Sequence, residues 1–132
     1  MKKKTVYYAH AMCTYNSRIE AFDLRTLKSM GFKVLNPNTK NVQAEYQSVK
    51  DIHVKSGNPM KFWQQLATSC DIFAFRALPG GKIPSGVASE LTAARNAGMP
   101  IIELPTVGTD RFLSYQQTTD YFLECGYYKR DK

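Results

Sequence analysis

The chain has 132 residues, of which 43% are hydrophobic and 22% charged, and a formal net charge of +7. That suffices for one domain over residues 1–132 with one sizeable core, and it excludes two comfortable domains or a disordered chain. No stretch approaches about 18 consecutive apolar residues, and the Met-Lys-Lys-Lys start soon meets His10, Cys13 and Asn16, so neither a membrane span nor a signal peptide is expected and the default location is the cytoplasm.

In chain order, Thr5-Val6-Tyr7-Tyr8-Ala9 reads as a first buried strand. His10 to Tyr15 is a loop, and Asn16 or Ser17 caps a helix, with Glu20 completing a capping-box pattern. Ile19, Phe22, Leu24, Leu27 and Met30 give that helix its apolar face, and Gly31 ends it. Phe32 to Leu35 is a second strand, halted by Asn36-Pro37-Asn38. Val42 to Val54 fits one polar helix, and Pro59 to Ser69 a second helix with Met60, Trp63, Leu66 and Ala67 as its buried stripe, at a core or subunit interface. Asp71 to Phe75 is a third strand, and a Gly/Pro loop, Leu78 to Pro84, leads into a helix from Ser85 or Gly86 to about Ala97. Pro100 to Leu104 is a fourth strand, followed by a short strand near Arg111–Leu113 and a helix from Tyr115 to Glu124.

Strands alternating with helices imply a three-layer, flavodoxin- or Rossmann-like α/β fold: a parallel sheet of four to five strands with helices on both faces. Such sheets bind ligands at the carboxyl ends of their strands, which selects the loops His10–Asn16, Asn36–Asn38 and Arg76–Ser89. Residues 1–70 hold 11 basic and 4 acidic groups, and residues 71–132 hold 7 of each. The lysines are scattered singly after Lys4, so nucleic acid is not the expected partner, although the excess suits a small phosphorylated ligand or plain solubility. Cys13, Cys70 and Cys125 form no C-x-x-C pair and read as reduced thiols, two of them buried; with His10 and His53 far apart, no metal and no cofactor is expected.

Gly80, Gly81, Ser85 and Gly86 precede a helix whose first N–H groups favour an anion, though neither G-x-x-x-x-G-K-[ST] nor G-x-G-x-x-G is present and a plain surface loop fits as well. Glu90 lies one turn inside that helix beside Ala88, Leu91, Ala93 and Ala94. It is either a carboxylate stabilised by the helix dipole or a nucleophile aimed into the strand-end crevice, and local physics leaves both open.

The Asp71-to-Phe75 strand, the Gly-rich loop and Ser85-Gly86-Val87-Ala88-Ser89-Glu90-Leu91, together with the opening Tyr7-Tyr8-Ala9-His10-Ala11-Met12, resemble the nucleoside 2-deoxyribosyltransferase superfamily in order and over most of the chain. That superfamily includes base-exchanging transferases and hydrolases that release the base from nucleoside monophosphates. The resemblance implies that Glu90 is the nucleophile forming a covalent glycosyl-enzyme and that Asp71 holds the sugar or handles a proton. It implies that Tyr7 is an aromatic against the ligand and that Ser85 and Gly86 line the sugar or phosphate. It implies a homodimer or higher oligomer, with Tyr115, Tyr121, Phe122, Tyr127 and Tyr128 available to a neighbouring subunit. Pro84 stands where transferases often carry an Asp, which favours water over a second base as acceptor. The hydrolase branch binds a 5′-phosphate with serines, an arginine and a helix N-terminus, roles that Asn16, Ser17, Arg18, Ser85 and Ser89 can fill here. Ser17 is equally a plain cap, and His10 either touches ligand or packs in its loop.

The expectation is therefore an N-glycosidase acting on a (deoxy)nucleoside 5′-monophosphate through a glycosyl-Glu90 intermediate resolved by water. The alternatives are a deoxyribosyltransferase, a non-catalytic nucleotide-binding or sequestering protein on the same fold, and a nucleic-acid-binding module using the basic half.

Overall fold

The computed structural model describes residues 2–105 and 114–124. The expected strand at Arg111–Leu113, together with Cys125, Gly126, Tyr127 and Tyr128, lies outside the described residues, as do the side chains of Tyr121 and Phe122. The elements are β1 (Thr5–Ala9), α1 (Arg18–Ser29), β2 (Lys33–Leu35), α2 (Lys40–Lys55), α3 (Lys61–Thr68), β3 (Ile72–Phe75), α4 (Ser85–Asn96), β4 (Ile101–Glu103) and α5 (Tyr115–Glu124). Single 3₁₀ turns at Met12–Thr14 and Pro79–Gly81 sit inside the two loops after β1 and β3.

Four strands form one parallel sheet in the order β2-β1-β3-β4. Val6 pairs with Val34 on one side and Ile72 on the other, and Phe73 pairs with Ile101. The chain moves outward from β1 to β2, then returns past β1 to β3 and β4. The direction of winding thus reverses between β1 and β3, the point where an open α/β sheet parts its loops and leaves a crevice at its carboxyl edge.

The two sides of β1 and β3 belong to different core layers because side chains alternate along a strand. Tyr7, Ala9, Phe73 and Phe75 pack on Ala67 of α3 and on Val87, Leu91 and Ala94 of α4. Val6, Tyr8, Ile72 and Ala74 pack on Leu27 and Leu24 of α1 and on Leu104. The sheet is therefore covered on both faces, as the alternation of elements implies, and its two central strands are buried on both sides.

The inward face of α1 differs from the apolar stripe read in the sequence. Phe22 and Met30 are exposed, and Glu20 and Asp23 are buried beside Leu27. The spacing 20, 23, 27 is a helical stripe, but two of its members are carboxylates, and each has a cation or donor waiting for it. Trp63 is only half-buried, in a cluster with Tyr46 of α2 and Phe62. Cys13 is exposed and Cys70 half-buried, so the expected pair of buried thiols is absent among the described residues.

Candidate active site

The loop after β3 places Gly80 and Gly81 at φ 83° and 77°, a region that residues with a Cβ rarely adopt. It delivers the chain to Pro84, the N-cap of α4. Pro84 has no side-chain acceptor, so the first N–H groups of α4 are left without a side-chain cap at the carboxyl edge of the sheet. Ser85, exposed, and Gly86, half-buried, form this first turn. Glu90 follows about 7 Å further along the axis, on the face of α4 that meets the sheet, and is 7% exposed.

The Tyr7 hydroxyl donates to Glu90 Oε2. Tyr7 is itself fully buried and stacks on Phe73 with ring centroids 5.8 Å apart. Burial raises the Glu90 pKa to about 7, against the opposing effect of the Tyr7 hydrogen bond, which favours the carboxylate. Burial, and then the neighbouring Glu90, hold the Tyr7 phenol well above its ordinary value, so Tyr7 stays a donor. The pair is a buried carboxylate poised near neutrality and oriented by a phenol.

On the other side of β1, His10 is buried with both ring nitrogens engaged. Nε2 lies 2.7 Å from Glu20 Oε2, and Nδ1 lies 3.1 Å from the Tyr8 carbonyl oxygen. Its ring stacks on Tyr8 at 3.9 Å and meets Tyr15 at 4.7 Å. Burial draws the His10 pKa below its ordinary value, against the pull of Glu20. With its side chain at 0% exposure, His10 packs in its loop, the second of the two readings its sequence leaves open.

Glu20 also accepts the Asn16 N–H at 3.1 Å and the Asn38 amide at 3.1 and 3.0 Å on its two oxygens. Burial alone would raise its pKa, but these donors and His10 outweigh that and hold it below the ordinary carboxylate value. Ser17 is the N-cap of α1, accepting the Glu20 N–H at 3.2 Å while its hydroxyl donates to the Thr14 carbonyl. This is half of a capping box, because the Glu20 side chain turns to Asn16 rather than Ser17. Of the expected phosphate ligands on this loop, Ser17 spends its hydroxyl on the loop itself, Asn16 spends its N–H on Glu20 and its Oδ1 on Asn38, and Arg18 is exposed.

Two further candidate residues are placed away from Glu90. Asp71 lies at the amino end of β3, the far edge of the sheet from the crevice, where it is exposed and accepts the Thr5 N–H at 2.8 Å. It ties β1 to β3 in register and does not join Glu90. Ser89 turns toward α3 and accepts from Gln64 Nε2 at 2.7 Å, linking the two helices that cover this face.

Tyr15, in the loop after β1, lies against His10 with ring centroids 4.7 Å apart. Burial raises its pKa to about 12, with Glu90 and Glu20 adding in that order, so its phenol lies within electrostatic reach of both carboxylates. A third polar cluster underlies the crevice. Arg76, at the carboxyl end of β3, donates through Nε to Asp23 Oδ2 at 2.9 Å, through its second nitrogen to Asp23 Oδ1, and to the Pro105 carbonyl at 2.5 Å. Asp23 also accepts from the Tyr8 hydroxyl at 2.6 Å. The signal for this cluster was the 20, 23, 27 spacing itself, masked by the usual placement of charged residues outside. Among the described residues no helix is long and apolar enough to cross a membrane. Compared with family models, curated proteins and solved structures, the chain matches none.

Proposed function

We propose that the protein cleaves the N-glycosidic bond of a (deoxy)nucleoside or its 5′-phosphate, with Glu90 as nucleophile. The observation that carries this reading is the Tyr7–Glu90 pair: a carboxylate nine-tenths buried, brought to about 7 by burial, and fixed by a phenol beside the β1/β3 switch point. A desolvated carboxylate is a stronger nucleophile than a hydrated one, and a value near 7 leaves much of it ionised at neutral pH.

In the first step the C1′–N bond breaks, its electron pair leaves with the base, and a Glu90 carboxylate oxygen bonds to C1′; the base takes its proton from solvent. In the second step water attacks C1′, gives up a proton, and Glu90 is released as carboxylate, as in retaining glycosidases. Water rather than a second base is the proposed acceptor, because Pro84, at the start of α4, offers no side-chain group to hold an incoming base. Among the described residues no cation is bonded to Glu90, and its pKa is set by burial against the Tyr7 hydrogen bond.

The test is base release, followed by chromatography, from a panel of deoxynucleosides, ribonucleosides and their 5′-monophosphates. Wild type is expected to release base and Glu90→Ala to release none. Turnover retained in Glu90→Ala removes the mechanism. Tight binding without base release by the wild type would make the protein a non-catalytic binder.

A further inference from the structure

The loop between β1 and α1 is built to hold an anion, and it already holds one. Asn16 N–H, the Asn38 amide and His10 Nε2 converge on a single carboxylate, Glu20, at 2.7 to 3.1 Å. Of the backbone donors that follow, Ser17 N–H goes to the Thr14 carbonyl at 3.3 Å and Glu20 N–H to Ser17 Oγ at 3.2 Å, and the Ser17 hydroxyl is spent on Thr14. Glu20 is 7% exposed and Asn16 adopts φ 61°, so the loop is wrapped around the carboxylate rather than open to a guest.

We propose that Glu20 is a specificity-determining residue whose carboxylate fills the anion cradle of the β1–α1 loop, so that the site accepts the uncharged nucleoside and rejects its 5′-monophosphate. The inference rests on reading this crevice as a nucleoside site. The surrounding charge supports it. The loops after β1 and β3 leave adjacent parallel strands at the same edge of the sheet, and Tyr15 meets His10 at 4.7 Å beside Glu20, so Glu20 lies on the edge at which α4 begins. Arg76 is paired with Asp23 and His10 with Glu20, so each is already engaged by a carboxylate of α1. Arg18, which opens α1, and Lys82, in the loop before α4, are both exposed. A phosphate brought beside Glu20 would meet like charge without a free buried cation, a standard means of refusing a competitor.

The experiment compares each 2′-deoxynucleoside with its 5′-monophosphate, by base release and by calorimetric titration, on wild type, Glu20→Gln and Glu90→Ala. Gln keeps the shape: its carbonyl oxygen accepts from Asn16 and Asn38, and its amide can donate to Nε2 of a neutral His10 whose Nδ1–H donates to Tyr8. The wild type is expected to favour the nucleoside by about tenfold or more in kcat/KM and in affinity, and Glu20→Gln to narrow that ratio while melting as a folded protein. Binding of the nucleoside in preference, without base release, would fail the catalytic reading and uphold this one. Equal or better use of the monophosphate by the wild type overturns the inference and leaves the glycosidase reading standing. An unchanged ratio in folded Glu20→Gln overturns it as well, and binding of neither compound overturns both readings.

Discussion

At the scale of single residues, the burial of Glu90 has consequences for rate and for stability that can be measured separately. In its proposed role as nucleophile Glu90 must be ionised, so base release should rise with pH through about 7. The Tyr7 hydrogen bond favours the carboxylate, so Tyr7→Phe should displace that limb to higher pH; a pH–rate profile that does not move would separate the two residues. Stability follows the opposite course. A carboxyl whose folded pKa is raised from 4.5 to about 7 contributes fully at pH below 4.5 and loses that contribution as pH rises through 7. Glu90→Gln, which stays neutral, should therefore gain on wild type between pH 4 and pH 8, by about 3 kcal/mol in urea unfolding. A gap that stays constant across that range would show that Glu90 is not held in a desolvated state.

At the scale of elements, α1 and β3 are joined by charge where their neighbours are joined by apolar contact. Arg76 reaches Asp23 on α1 and Pro105 beyond β4, so one side chain binds three segments below the crevice. Arg76→Met should cost about 3–5 kcal/mol, because Asp23 would remain buried with only the Tyr8 hydroxyl. Replacing both partners, as Asp23→Leu with Arg76→Met, should cost much less than the two single changes together. Denaturant titrations of the three variants check this, and additive losses would contradict it. Asp71 gives a contrasting case. Since it lies at the amino edge and holds only the Thr5 N–H, Asp71→Ala should leave base release unchanged and cost at most about 1 kcal/mol. Loss of activity with the fold intact would return Asp71 to the site.

At the scale of the whole molecule, the elements were legible because each carries its own local signal. The β-branched and aromatic runs at 5–9 and 72–75 mark strands, the Ser17 cap starts α1, and the Gly57-Asn58-Pro59 break separates α2 from α3. The layering followed from alternation of strand and helix. What the sequence could not show was which long-range partner each polar residue takes. Glu20 shows a local role as the third residue of a capping pattern, while its contacts to His10 and Asn38 depend on loops 10 and 18 residues away. Asp71 follows the opposite pattern: it stands next to the strand that points to the site, but position along a parallel strand decides which edge of the sheet it occupies. Tyr15 was hidden because a loop residue has no periodicity to read. Glu90 was visible through its apolar neighbours on α4, and the structure adds its burial and its partner Tyr7.

The covalent bond proposed between Glu90 and a sugar C1′ is tested most directly by mass spectrometry of the protein quenched in acid during incubation with a deoxynucleoside. The account predicts a protein species heavier by one deoxyribosyl group, mapped by proteolysis to the peptide containing Glu90 and absent in Glu90→Gln. Base release with no such adduct at any time, or an adduct on another residue, would contradict it.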